Sequence, residues 1–187
     1  MRRPRIYIDS CYFIDAIKYR AGFSVDPDRS NDLKYVRACL EAVRAGDVEV
    51  ITSTLTIAEV RRAEGTPDDD VKRLIRSVLT SGRLVKLAEV TQTVGEKARD
   101  LHWDYGINLS GADAVHVATA IITECKELMT LDARKKSPHV YAAEIAALGV
   151  RVIRAANTHV LPPKYIAVQG SFLNLNPDPD LDPDSSI

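Results

Sequence analysis

The chain has 187 residues, 45% of them apolar, enough for one α/β domain to bury a core without disulfide or metal staples. Its 25 Lys+Arg against 26 Asp+Glu leave the net charge near zero, which excludes a generally basic nucleic-acid binder and leaves only local patches. Three widely spaced cysteines, Cys11, Cys39 and Cys125, without a Cys-x-x-Cys pair, exclude a disulfide framework and a zinc-ribbon type of site and fit a reducing cytoplasm.

Behind the basic Met1-Arg2-Arg3 start there is no signal-peptide core, and no later apolar run is long enough to span a bilayer, so a soluble cytoplasmic protein is expected. Arg5-Ile-Tyr-Ile-Asp9-Ser10 reads as a buried strand closing on an acid. A charge is expensive inside a sheet, so Asp9 belongs at the carboxyl end of the strand, the rim where open α/β sheets bind ligands. Residues 11–20 carry Tyr12, Phe13, Ala16, Ile17 and Tyr19 at helical spacing. Residues 22–30 read as a loop, and 31–46 as a helix with Leu33, Val36, Leu40 and Val43 on one face and Gly46 as its stop.

A short β-branched strand over 48–52 follows, and Ser53-Thr54 caps a helix through 55–64. Thr66-Pro67, with Asp68, Asp69 and Asp70, opens another helix. Residues 83–87 make a short strand, and Thr93-x-x-Glu96 starts a helix ending near Gly106. Ser110-x-x-Asp113 opens the clearest helix, 110–125, which leads into a strand over 127–132 that again ends on an acid. A basic loop, a helix over 140–148 and a strand over 150–153 complete an alternation that predicts an α/β domain with a mainly parallel sheet covered on both faces. Residues 157–187, with the acidic and proline-rich run from Pro177, read as an extended or disordered tail. Tyr165, Ile166, Val168, Phe172 and Leu173 would let part of it dock.

Taken singly, each of four acids has an ordinary role. Asp113 and Glu59 stand where acids tie helix ends, and Asp9 and Asp132 where they start turns. Together they converge on one expected rim, where unpaired carboxylates repel unless a cation sits among them. Oxygen-only ligands select hard ions such as Mg²⁺ or Mn²⁺, which serve phosphodiester chemistry.

Ile8-Asp9-Ser10, Thr52-Ser-Thr-Leu-Thr-Ile-Ala-Glu59, Gly111-Ala-Asp113-Ala-Val-His-Val-Ala-Thr-Ala120 and Leu128-Met-Thr-Leu-Asp132 resemble, in order and spacing, the four acidic motifs of PIN-domain ribonucleases, among them the VapC-type toxins. The resemblance covers roughly residues 5 to 155. It implies a Rossmann-like nuclease domain over 1–156, with 157–187 as a tail, cutting RNA with Mg²⁺ or Mn²⁺ held by Asp9, Glu59, Asp113 and Asp132. It also implies Thr130 and Ser10 as hydroxyls orienting those carboxylates, a toxin role with an antitoxin or other protein inhibitor, and a homodimer. The long 22–31 loop and the tail depart from the compact toxin pattern.

Phosphates near an acidic pocket need cations. Lys18, Arg20, Arg61, Arg62, Arg134, Lys135 and Lys136 all follow the acidic motifs closely, although each alone suits a solvated helix or loop end. His116 reads as a packed, hydrogen-bonded histidine, and Trp103 and Tyr105 as core or interface. The rival from another class is a non-catalytic PIN-like module binding RNA or protein. A dehalogenase-type phosphohydrolase would want an aspartate two residues after Asp9, where Cys11 stands.

Overall fold

The computed structural model describes residues 2–20, 22, 25–60 and 69–167. Five strands, β1 (Arg5–Ile8), β2 (Glu49–Ser53), β3 (Lys86–Ala88), β4 (Glu127–Met129) and β5 (Arg151–Ile153), form one sheet in the order β3-β2-β1-β4-β5. Every pairing is parallel, as the alternation of strands and helices requires. The helices are α1 (Ser10–Arg20), α2 (Pro27–Arg44), α3 (Leu55–Glu59), α4 (Asp69–Ile75), α5 (Gln92–Trp103), α6 (Gly111–Ile122), α7 (Ala142–Ala147) and α8 (Pro163–Ala167).

The period of two in β1 divides the core. Ile6 and Ile8 pack with Tyr12, Leu33, Val36 and Leu40 of α1 and α2 on one face. Tyr7 points the other way, into a cluster with Leu101, Val117 and Ile145 from α5, α6 and α7. Both faces are covered, which is why the central strands read as continuous apolar runs.

Several boundaries differ from expectation for local reasons. α2 begins at Pro27 rather than residue 31, because Asp26 caps it through Asp28 N–H and Pro27 suits its first turn. Helix α5 is capped by Thr91, whose hydroxyl accepts from Val94 N–H, instead of by Thr93. Its continuation stops at Trp103, three residues before Gly106. β3 lies at Lys86–Ala88, later than residues 83–87, while Val85 is buried just ahead of the ladder. β4 leaves the ladder at Met129, so Thr130 and Asp132 lie past the strand in the loop. A π-helical turn, Arg76–Thr80, prolongs α4, and a 3₁₀ turn, Pro138–Tyr141, precedes α7.

Residues 157–167, read from the sequence as the start of the tail, belong to the packed body. Leu161 is buried in the first core cluster, and Tyr165 Oη donates to Asp47 at 2.7 Å. The Pro177 run and the expected helix opening at residues 66–68 lie outside the described residues. Among the described residues no helix is long and apolar enough to cross a membrane.

Candidate active site

Asp9 is the first residue beyond β1, and its own N–H still donates to Met129 O at 3.0 Å, so the strand ladder fixes its backbone. The carboxylate is buried. Oδ1 accepts from Ser10 N–H at 2.6 Å and from Ser10 Oγ at 3.3 Å; Oδ2 accepts from Thr130 Oγ1 at 2.6 Å and Cys11 Sγ at 3.4 Å. All these donors are neutral. Thr130 Oγ1 also accepts from Asp132 N–H at 3.1 Å, so one hydroxyl joins Asp9 to the turn that carries Asp132. Burial, with the charge of Asp9 next, pushes the Cys11 thiol far up, which makes it a packing group rather than a nucleophile.

Glu59 ends α3. Its ordinary alternative, a helix cap, is not what the structure shows: Thr56 pairs with Thr52 at 2.7 Å, and Glu59 Oε2 meets His116 Nε2 at 2.8 Å. His116 lies on α6 one turn after Asp113, buried, with Nε2 also 3.6 Å from Asp9 Oδ1. Its Nδ1 is 2.6 Å from Tyr7 Oη, which accepts from Ser53 N–H at 2.9 Å. An ionised carboxylate only accepts, so Nε2 carries a hydrogen and donates it. Burial opposes a charged imidazole, but the bond to Glu59 and the fields of Asp9, Glu59 and Asp113 raise His116 above its ordinary value. Glu59 is likewise desolvated, yet the bond to His116 and its field, with a hydrogen bond from the Ser10 hydroxyl, hold it below the usual carboxylate value.

Asp113 stands in the first turn of α6. Ser110 caps that turn, its Oγ accepting from Asp113 N–H and donating to Asp113 Oδ2 at 2.5 Å, while Ser110 N–H donates to Lys136 O in the loop after β4. That last bond brings the start of α6 to the same rim as Asp132. Burial, then the charges of Asp132 and Asp9, raise the Asp113 carboxyl. Asp132 is held low by hydrogen bonds from Arg134, whose guanidinium grips both of its oxygens.

The structure thus brings the four acids to one rim from four separate elements. Ligand atoms of Asp9, Glu59 and His116 lie within 4.8 Å of one another. Asp113 and Asp132 stand outside that triplet but act on each other, and Asp9 acts on Asp113, through their fields. Because Nε2 is a donor, His116 belongs to the triplet by position and not by a free lone pair.

The basic residues separate. Arg134 is exposed, clasped to Asp132, with Asp113 and Asp9 adding to the field it feels. Lys135 and Lys136 are exposed in the same loop. Lys18 acts on Asp15, the buried acid of α1 that pairs with Arg29. Arg61, Arg62 and the Arg20 side chain lie outside the described residues. Trp103 and Tyr105 are exposed, under Arg99 and Lys97 respectively, and are not core.

His116 is packed and hydrogen-bonded, as its sequence reading expects, but its partners Glu59 and Tyr7 are not named by that reading. The signal was present: His116 sits three residues after Asp113 on one helix face, and Tyr7 is the β1 side chain opposite in sense to Ile6 and Ile8.

A sequence model of the PIN domain matches residues 6–138, a span that contains all four acids. No curated protein matches the chain. The five-stranded all-parallel sheet flanked by helices agrees with that match. The chain belongs to the PIN-domain family, whose members are generally nucleases.

Proposed function

We propose that the protein is an endoribonuclease that hydrolyses RNA phosphodiester bonds with Mg²⁺ or Mn²⁺ held by Asp9, Glu59, Asp113 and Asp132. One observation carries this reading. Among the described residues, Asp9, Glu59 and Asp113 have no lysine or arginine partner, although Asp9 and Asp113 are buried. Such a set retains negative charge that a hard cation would offset.

The donor set fits such an ion, because the four acids offer carboxylate oxygens and the nearby imidazole nitrogen bears hydrogen. When bound, a divalent ion supplies Lewis-acid stabilisation of the charge that develops on the phosphate. The chain's own residues do the rest. Thr130 and Ser10 fix the Asp9 carboxylate, so its orientation costs no reorganisation during reaction. Arg134, exposed at the edge of the acids, is placed to exchange its grip on Asp132 for an RNA phosphate, with Lys135 and Lys136 holding neighbouring phosphates.

The motif likeness extends the proposal to a cytoplasmic toxin with a protein inhibitor and a homodimeric state. It assigns the chemistry to residues 1–156, against which residues 157–167 pack. Co-purification of a tagged chain from its own host tests the inhibitor, and light scattering tests the dimer. The nuclease itself is tested by incubating a mixed RNA pool with purified protein and Mn²⁺, Mg²⁺ or EDTA, beside Asp9→Asn. Cleavage that requires both metal and Asp9 is expected; equal cleavage by parent and variant would remove the mechanism.

A further inference from the structure

Tyr7, His116 and Glu59 form a hydrogen-bonded chain running from the sheet to the rim. Ser53 N–H donates to Tyr7 Oη, Oη lies 2.6 Å from His116 Nδ1, and Nε2 lies 2.8 Å from Glu59 Oε2. The two rings also meet edge to face, with centroids 5.8 Å apart. Tyr7 is fully buried and lies in the central strand β1, so the chain starts from the packed middle of the sheet.

Its other end needs that anchor. α3 is only five residues long, its N-cap Thr54 makes no side-chain cap bond, and Glu59 is its last residue. A single helical turn has little intrinsic stability and does not by itself orient a carboxylate. Glu59 must nonetheless lie near Asp9, a like charge that repels it. His116 Nε2 stands between the two, bonded to Glu59 and 3.6 Å from Asp9 Oδ1. Facing an acceptor-only group, Nε2 holds a hydrogen whether the ring is neutral or charged.

Resting on the reading of Asp9 and Glu59 as metal ligands, we propose that His116 is a positioning residue and not a ligand. Backed by Tyr7, it donates Nε2–H to Glu59 and holds that carboxylate beside Asp9. Removing an outer hydrogen-bond partner of a ligating carboxylate lowers metal affinity by about 10–100-fold.

The test is Mn²⁺ calorimetry on the full chain, with thermal unfolding in EDTA as a check on folding. His116→Leu should weaken Mn²⁺ by about 10–100-fold, and His116→Gln, whose amide keeps an N–H within reach, should recover much of it. Tyr7→Phe, which leaves the ring in place, should give a smaller loss. In a Glu59→Ala background, His116→Leu should add nothing. Parent-like affinity in His116→Leu, or an equal loss with and without Glu59, overturns the proposal. Failure of the parent to bind Mn²⁺ would count against the metal site alone. The proposal would then be decided in metal-free protein by the Nε2–H proton resonance: protected from solvent exchange in the parent and lost in Glu59→Ala if it holds, unchanged if it does not.

Discussion

Buried acids around β4 are treated in opposite ways. At its beginning, Glu127 is fully buried and accepts from Arg151 Nη2 at 2.8 Å, Thr158 Oγ1 at 2.6 Å and His159 N–H at 3.0 Å. Asp32 of α2, also fully buried, takes Arg154 Nε and Nη2 at 2.9 and 2.5 Å and Ala156 N–H at 2.8 Å, just past the end of β5. Each has a guanidinium and a backbone donor, and both fasten residues 151–161 to the body. Asp9 and Asp113, beyond the other end of β4, have hydroxyls, a thiol and backbone N–H groups but, among the described residues, no guanidinium or ammonium partner. A fold that neutralises two acids so completely can do the same at the rim. The charge left on the rim is what the proposed cation would offset.

The comparison breaks most sharply by removing one acid from the rim. Asp9→Asn should lower metal-dependent RNA cleavage by at least about 10³-fold, since a divalent ion supplies several kcal/mol to a phosphoryl transition state. Its urea midpoint should stay at or above the parent's, because neutralising the residue relieves repulsion. Arg154→Met should do the reverse. It strands a fully buried Asp32, and, discounted for the half-exposed guanidinium, should cost about 3 kcal/mol in urea unfolding while folded molecules retain cleavage.

Two pH effects sharpen the contrast. Asp113 is raised, so the folded state holds its proton more tightly than the unfolded chain, and stability falls as pH climbs from its ordinary value of 3.8 through the folded value. Asp113→Asn should therefore gain thermal stability over the parent at pH 7, and that gain should vanish near pH 3. The Glu59–His116 pair behaves differently. Glu59, lowered, contributes above 4.5 and loses its contribution as pH falls through its folded value. His116, raised, contributes fully below 6.5 and loses its contribution as pH rises through its folded value. The pair therefore supports stability most between about 4.5 and 6.5, and Glu59→Gln should flatten both limbs of the melting curve against pH. The smallest effect is expected from Arg134→Ala. An exposed pair is worth about 0–1 kcal/mol, so stability should hardly move, while KM for RNA should rise severalfold and depend less on salt.

Much of this architecture is legible in the sequence, because alternating buried strands and amphipathic helices obey two periods that one reading detects. Asp9 and Asp132 declare themselves by following apolar runs, and Asp113 by its place after Ser110. What stays hidden is partnership across the fold. Nothing near Glu59 in the chain names His116, 57 residues on, as its donor, and nothing near Asp32 names Arg154. Thr158 and Leu161 look like tail because no periodicity marks them; they are fixed by Glu127 and by a core gap that only the assembled sheet creates. Nor does anything near Lys18 show that its charge acts on Asp15, the buried acid of α1.

The central claim is that the rim acids together hold a divalent ion. Anomalous diffraction from crystals of the full chain soaked in Mn²⁺ tests it directly. The account predicts a peak in coordination contact, about 2.1 Å, with a carboxylate oxygen of Asp9 and shared with others of the four acids, and no peak at Glu127 or Asp32. Absence of any peak at the rim, with Asp9 still bound only to Ser10, Cys11 and Thr130, would contradict it.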